Sequence, residues 1–468
     1  MRSVMDGADK VIDQAQEILR RKPIDGYEIY FNQSSHFDIE SMDGKIETLQ
    51  TDQYLGMAFR ILNHQRIGFS YTTLSIPSPS ALRNFSVELD RMIEDAIRSA
   101  EATSPDPCFD FAPEFKGSFP ELPIFDEALE GTSEKAKIDK AKDLEASAKA
   151  VDPERIKKVR KASYQEVLSR ITLVNSNGLR HSYNHSLASA SVTAVAEASG
   201  ESEVAWDFDA SHFFEDLDVE KVGRSAGRRA LERLGGKRIP TGVYPVLIRN
   251  QVASELLSLL AHSFFADQVQ KGKSPLKGKR GERFFSPFLT IVDDGLYSKG
   301  ISTAPFDGEG MPSQRTVLVA QGELIHYLYD RYWANRENLF SQGSRAESTG
   351  NSRRHGIKSP PGVGISNFFI VPGDLIFPKL LEGFLHGFVV EEVMGLHTVD
   401  PISGDFSLGC SGDWIERGQK VHPVKSIAIA GNLFELFRRV IGVGKDLRFF
   451  GGVGAPSLLI DEMLISGN

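Results

Sequence analysis

The side chains best placed to do chemistry are few and dispersed. His262 is the one imidazole in the apolar run from Leu256 to Ala266, and Asp267 follows directly. A single histidine on an apolar helix reads as a hydrogen-bonded core residue before it reads as a metal ligand, because a ligand needs companions. Cys410, in Gly409-Cys410-Ser411-Gly412-Asp413, has the glycine-flanked setting of an active-site turn. His397 and His422 could reach it only through the fold, and a free cysteine among small residues reads first as filling an apolar niche. The stretch from Lys271 to Arg283, with Lys273, Lys277, Lys279 and Arg280, could meet phosphates, but a solvated loop is the simpler reading. Around Phe306, Asp307, Glu309, Thr349, Asn351, Arg353 and Arg354, acidic and amide groups alternate with glycines, either lining a passage or satisfying turns.

The elements that hold these residues belong to an ordinary globular chain of 468 residues, 41% hydrophobic and 25% charged, long enough for two or three packed domains. A formal net charge of −9 argues against a protein whose task is to coat nucleic-acid phosphates. With Cys108 and Cys410 as its only cysteines, the chain can build neither a disulfide framework nor a cysteine-based structural zinc knuckle. Asp6, Asp9 and Asp13 interrupt the place where an export signal would need an apolar stretch, and no apolar run is long enough to cross a bilayer. A soluble cytoplasmic protein is expected.

Helical spacing over residues 8–20 predicts an amphipathic first helix, and short runs at 27–31, 37–41, 45–49, 55–61 and 67–72 read as strands, with Asp43-Gly44 as a hairpin turn. Ser86 opens a second helix. Residues 103–125, rich in proline and phenylalanine, form a linker whose aromatics pin it to a neighbouring surface. A charged helix at 133–150 introduces a second unit, with strands at 156–161, 165–169, 171–175, 187–196 and 204–208 and a helix from Val219 to Leu234. From Gly242 onward short strands and glycine-rich turns dominate, after one long apolar helix at 251–266. The expected class is α+β: antiparallel sheets with helices in two N-terminal units, then a β-rich, barrel-like C-terminal domain. The boundaries fall at 1–104, a linker at 105–131, 132–237 and 238–468.

The closing half of that last domain, from Gly395 to Leu436, reads GLHTVDPISGDFSLGCSGDWIERGQKVHPVKSIAIAGNLFEL, and it resembles the signature of the TldD/PmbA family. Further matches run in order along the chain: Gly44-Lys45-Ile46-Glu47, Asn175-Ser176-Asn177-Gly178, Asp293-Asp294-Gly295, Pro305 to Gly310, and Gly454-Ala455-Pro456-Ser457. The resemblance implies a peptidase family in which the TldD branch carries a helical His-Glu-x-x-x-His zinc motif and a further cysteine ligand near its C-terminus. In this chain Leu257 stands in place of the first histidine, Ser258 in place of the glutamate, and His262 retains the second histidine. Residues 445–454 contain no cysteine. Zinc hydrolysis needs about three protein ligands, an open position for water and a carboxylate to take its proton, and leucine and serine supply none of these.

The resemblance therefore implies the metal-free PmbA/TldE-like branch: a non-catalytic subunit with no cofactor of its own, and zinc in a TldD-like partner. That partner would complete a heterodimer cleaving peptides and poorly folded proteins, although self-association into a homodimer is also open. Peptide-lining candidates by family position are His262, Asp267, Phe306, Asp307, Glu309, Thr349, Asn351 and Arg354. Two alternatives stand beside this: a regulatory binding protein of gyrase-modulator type, and a homodimeric peptidase with unusual ligands including His262 and Cys410.

Overall fold

The computed structural model describes residues 2–75, 79–341, 343 and 345–467. Its N-terminal half is organised on one six-stranded antiparallel sheet. In chain order, α1 (Arg2–Leu19) is followed by β1 (Gly26–Met42), β2 (Lys45–Asn63), β3 (Arg66–Ser75) and α2 (Pro79–Glu101), then α3 (Glu134–Lys149), β4 (Lys158–Asn175), β5 (Arg180–Ala198), β6 (Glu201–Ser211) and α4 (Val219–Glu232). The strand order β3-β2-β1-β4-β5-β6 joins the two expected units edge to edge through β1 and β4.

The short runs read from sequence fuse into these long strands. Polar Asn32, Gln33, Ser34 and Ser35, which look like a break, stay extended because β2 and β4 both pair with them. The tight turns fall as expected: Asp43 and Gly44 both have positive φ, 53° and 72°, and Gly178 has φ 93°. Helix α2 begins at Pro79, ahead of Ser86, whereas α3 and α4 start as read, with Ser133 and Asp218 accepting from backbone N–H groups as N-caps.

Period-two alternation divides the sheet's faces. Ile29, Phe31, Met57, Phe59 and Ile61 pack under α1 and α2 with Leu89 and Ile93, while Tyr164 and Val192 pack under α3 and α4 with Leu144 and Ala226. The opposite face presents Tyr30, Ala58 and Leu173 to Phe306 and Ile357 of the C-terminal part. The linker is pinned between the two: Phe111 and Ala112 are buried, Asn175 and Asn177 donate to their carbonyls, and Phe109 lies 4.8 Å from Tyr332.

The C-terminal part comprises β7 (Gly242–Ile248), α5 (Asn250–Leu260), α6 (Ala266–Gln270), β8 (Ile291–Asp294), β9 (Arg315–Ala320), β10 (Glu323–Leu324) and α7 (Arg331–Phe340). It continues with β11 (Ser352–Arg353), β12 (Gly362–Val363), β13 (Phe368–Ile370), α8 (Phe377–Leu381), β14 (His386–Met394), β15 (Asp405–Glu416) and β16 (Gln419–Asn432). The chain closes with α9 (Leu433–Arg438), β17 (Val440–Val443), β18 (Arg448–Phe450), β19 (Val453–Ala455) and β20 (Leu458–Ser466). Strands β16-β15-β14-β7-β20 close into a barrel because β16 and β20 also pair, with β7 and β14 parallel inside an otherwise antiparallel ring. A second sheet, β10-β9-β8-β13-β19-β18, packs beside it around α5.

The long helix expected over 251–266 is divided. A 3₁₀ turn at Ala261–Phe264 follows α5, and Phe265 is extended, bridging to Leu328, so the chain restarts as α6. Backbone pairing at Phe264 to Ala266 outcompetes continuation of the helix. Among the described residues, no helix is long and apolar enough to cross a membrane.

Helices α3 and α4 cross closely at Gly223 and Gly227. A Cβ built on Gly223 would lie 2.0 Å from Ser147 Oγ and 2.4 Å from the Leu144 carbonyl oxygen. Gly223→Ala is expected to destabilise the protein by about 1–3 kcal/mol through overpacking, read as a lowered urea midpoint; an unshifted midpoint would contradict this crossing.

Candidate functional site

The C-terminal half of α5 and the turn after it form one wall of a cleft of about 580 Å³, bordered by Ser258, His262, Phe265 and Asp267. Trp333 of α7 borders the same space, as do Arg353, His355 and the segment from Gly362 to Ile365. The apolar spacing of α5 sends Leu256, Leu257 and Leu260 into the core, so the side chain at the position of an expected first ligand is fully buried. Ser258 donates its hydroxyl to the Glu255 carbonyl, 2.7 Å away, and so is spent on its own helix.

His262 is exposed, not a core histidine, because the helix ends just before it and the 3₁₀ turn rotates it outward; its ring lies 5.0 Å from that of Phe265. Asp267, in the first turn of α6, accepts from Lys271 at 3.0 Å, and that ammonium also sits 4.9 Å from the centre of the Trp333 ring. His262, His355 and Asp267 share the cleft, yet the described residues contain no group of three or more His, Cys, Asp or Glu arranged to hold a metal ion. Leu257 and Ser258 add neither an imidazole nor a carboxylate to that set, so the residues present do not fit the zinc of a peptidase.

The other candidates occupy a buried ionic joint rather than the cleft wall. Glu28 on β1 faces Arg60 in the β1–β2 register, and Arg60 Nη1 lies 3.2 Å from both Glu28 and Glu309. Arg354 also pairs with Glu28, with its guanidinium 4.5 Å from the Tyr30 ring centre and its Nε donating to the Gly308 carbonyl. Asp307 accepts from the backbone N–H groups of Glu309, Met311 and Ser352. Phe306 is buried against Tyr183 and Phe119. Thr349 is tied to both the N–H and the carbonyl of Tyr329, and Asn351 donates to Asp293 and to the Gly364 carbonyl.

Within the chain, Asp307, Glu309, Thr349, Asn351 and Arg354 are held by these hydrogen bonds and ion pairs and Phe306 by aromatic packing, whereas His262 and Asp267 border the cleft. Arg353, on β11 between the two regions, reaches the cleft, and its Nε and one Nη are buried with no hydrogen-bond partner.

Cys410, on β15, is fully buried in the barrel core, where burial pushes its thiol up to about 12. His262, by contrast, is exposed. Most of the basic stretch is engaged locally or solvated, as Lys279 with Glu282 and Arg280 with the Ile325 carbonyl illustrate. The residues missed from sequence are Trp333, His355 and the Gly362–Ile365 backbone. His355 and Gly362–Ile365 come from loops and a two-residue strand, which leave no periodic signal, and Trp333 comes from the short helix α7.

Three family models match in sequence order: the PmbA/TldA metallopeptidase domain 1 over residues 27–100, its central domain over 127–234 and its C-terminal domain over 241–467. Metalloprotease PmbA of Escherichia coli O157:H7 is 28% identical over 462 residues, covering 98% of this chain and 96% of that one. A metalloprotease TldD homolog of Haemophilus influenzae is 29% identical over 364 residues, 72% of this chain and 73% of that one. A crystal structure from Thermotoga maritima, described as a modulator of a DNA gyrase, superimposes with a TM-score of 0.86 at 27% identity, covering 98% of this chain and all of that one. TldE from Thermococcus kodakarensis superimposes with a TM-score of 0.85 and covers 98% of this chain and 100% of that one; at 22% identity this bears on the fold alone. The fold and sequence are those of a metallopeptidase-family scaffold. The chain belongs to the TldD/PmbA family.

The ionic joint carries a pH signature. Asp330 caps α7 by accepting from Trp333 N–H, and its carboxyl is raised well above the usual range by burial first and then by the neighbouring Glu309, against Arg60. An acid whose folded pKa is raised contributes stability that is present below its unfolded value, about 3.9, and lost as pH climbs through the raised one. Asn caps equally well and does not titrate. Asp330→Asn is therefore expected to gain stability relative to the parent between pH 5 and pH 8 in urea unfolding; a pH-independent difference would refute the assignment.

Proposed function

We propose that this chain is a PmbA/TldE-like, non-catalytic subunit of a zinc metalloprotease complex, working in the cytoplasm beside a TldD-like subunit that carries the metal. The observation that supports this most directly is Leu257, whose hydrocarbon side chain lies fully buried where the catalytic branch has its first ligand. Ser258, bonded to its own helix, has no means of acting as a general base. The names of the relatives, metalloprotease PmbA and a TldD homolog, agree with a proteolytic setting.

The cleft supports a role as a wall for extended peptide. Strand β12 pairs only with β11 among the described pairings, and residues from Gly362 to Ile365 border the cavity. A peptide can add there as a further strand, read through its backbone and therefore with broad side-chain tolerance. Trp333, Phe265 and Ile365 offer apolar area, and the unpartnered N–H groups of Arg353 offer donors for a peptide carbonyl or carboxylate.

Elemental analysis and a peptide-cleavage assay test this together. The purified chain is expected to hold no stoichiometric zinc and to show no chelator-sensitive cleavage alone, with activity appearing when a TldD-type subunit is added. Tightly held zinc with chelator-sensitive hydrolysis by this chain alone would overturn the proposal. Recovery of a stoichiometric topoisomerase complex with no TldD-like partner would instead support a regulatory binding protein.

A further inference from the structure

A second cleft, of about 440 Å³, lies where α4 meets the barrel, and six cationic side chains border it: Lys221, Arg224, Arg228, Arg229, Arg249 and Arg448. Only Glu232 and Glu391 oppose them from the lining. Such a gathering on a chain of net charge −9 runs against the overall balance and stores mutual repulsion. The stripe on α4 follows from helical spacing: Val222, Ala226 and Ala230 are buried, leaving Lys221, Arg224 and Arg228 on the other face. Residues Arg249 to Gln251 come from the junction of β7 with α5, and Arg448 and Phe450 from β18.

Internal partners neutralise the cluster incompletely. Arg229 donates to the Trp206 carbonyl and to Gln251, Arg448 pairs with Asp207, and Arg249 Nε lies 3.2 Å from Glu391. Arg249 also lies 3.7 Å from Asp446, and burial raises the Glu391 pKa against the pull of Arg249. Arg224 has a single exposed pair with Glu220, and Arg228 has no ion-pair or hydrogen-bond partner among the described residues. The positive end of the α5 dipole adds to the same potential.

We propose that this cleft binds a small polyphosphate-bearing ligand, its phosphate oxygens spanning the guanidinium groups of α4 and the start of α5. Guanidinium forks match phosphate oxygens in pairs, and one phosphate would engage only part of so wide a set. The cavity has the size of a small-molecule site and is concave and short, unlike the extended basic stripe that tracks a nucleic-acid backbone. The Phe450 ring, 5.7 Å from Phe208 and 4.8 Å from the Arg448 guanidinium, provides a flat face beside it for a base. Because α4 and α5 lie in different parts of the chain, the ligand also holds them together.

Isothermal titration of the full chain with pyrophosphate, tripolyphosphate, ADP and ATP at fixed ionic strength tests this. Saturable one-to-one binding is expected, weakened about tenfold or more in Arg224→Glu/Arg228→Glu, whose exposed positions leave the fold unchanged by circular dichroism. Should that double variant misfold, Arg228→Gln alone, removing one unpartnered charge, is expected to weaken binding about threefold. Tighter binding of ADP than of pyrophosphate identifies a nucleotide as the source; equal affinity identifies the phosphates alone. Absence of saturable binding at millimolar concentration, or binding undiminished in the folded variants, would overturn the site.

Discussion

The carboxylate of Glu28, fully withdrawn from water and held between Arg60 and Arg354, is the contact on which the arrangement of the two halves rests. It lies on the face of β1 turned away from the helices, and its partners come from β2 and from the loop beyond β11. A buried charge of this kind tolerates little displacement, because losing one partner leaves an ion unsolvated. Glu309 extends the network to the Arg331 backbone at the start of α7, and Asp307 fixes Ser352. The same few bonds thus place Trp333, Arg353 and His355, which border the cleft. Residues that never touch that space decide its shape.

The wall of the cleft is set by core packing on one side of α5 and by backbone pairing after it. Leu257 contributes apolar packing to the same core as Val252, Leu256 and Phe368. His262 remains at the surface because the turn geometry around Phe264 and Phe265 is set by backbone pairing with Leu328, independent of any ligand.

Much of the N-terminal architecture was legible because local rules coincide there with tertiary ones. The helix starts near Ser133 and Val219 and the turn at Asp43-Gly44 fall where the sequence places them, and the Phe and Ile spacing marks the buried faces. Strand continuity through Asn32 to Ser35 was not legible, because it depends on two neighbouring strands supplying hydrogen bonds. In the C-terminal part, β-rich closure was foreseeable from short strands and glycines, but the division of the helix after Leu260 was not. The departure of Leu257 and Ser258 from a His-Glu pattern could be read directly. The roles of Asp307, Glu309 and Arg354 could not, since the same residue types serve a passage or a turn until burial and partners are known.

The union of β1 with β4 has a consequence for how the protein is made. These strands are neighbours in space, yet α2, the pinned linker and α3 separate them in sequence. During synthesis, the three-stranded meander β1 to β3 must wait with the outer edge of β1 unpaired until β4 is available. Loop closure over that distance is entropically slow, and an open strand edge is a template for unwanted pairing. A fragment ending within the linker would keep that edge permanently bare, so the first and second family domains are units of sequence description but form a single unit of folding.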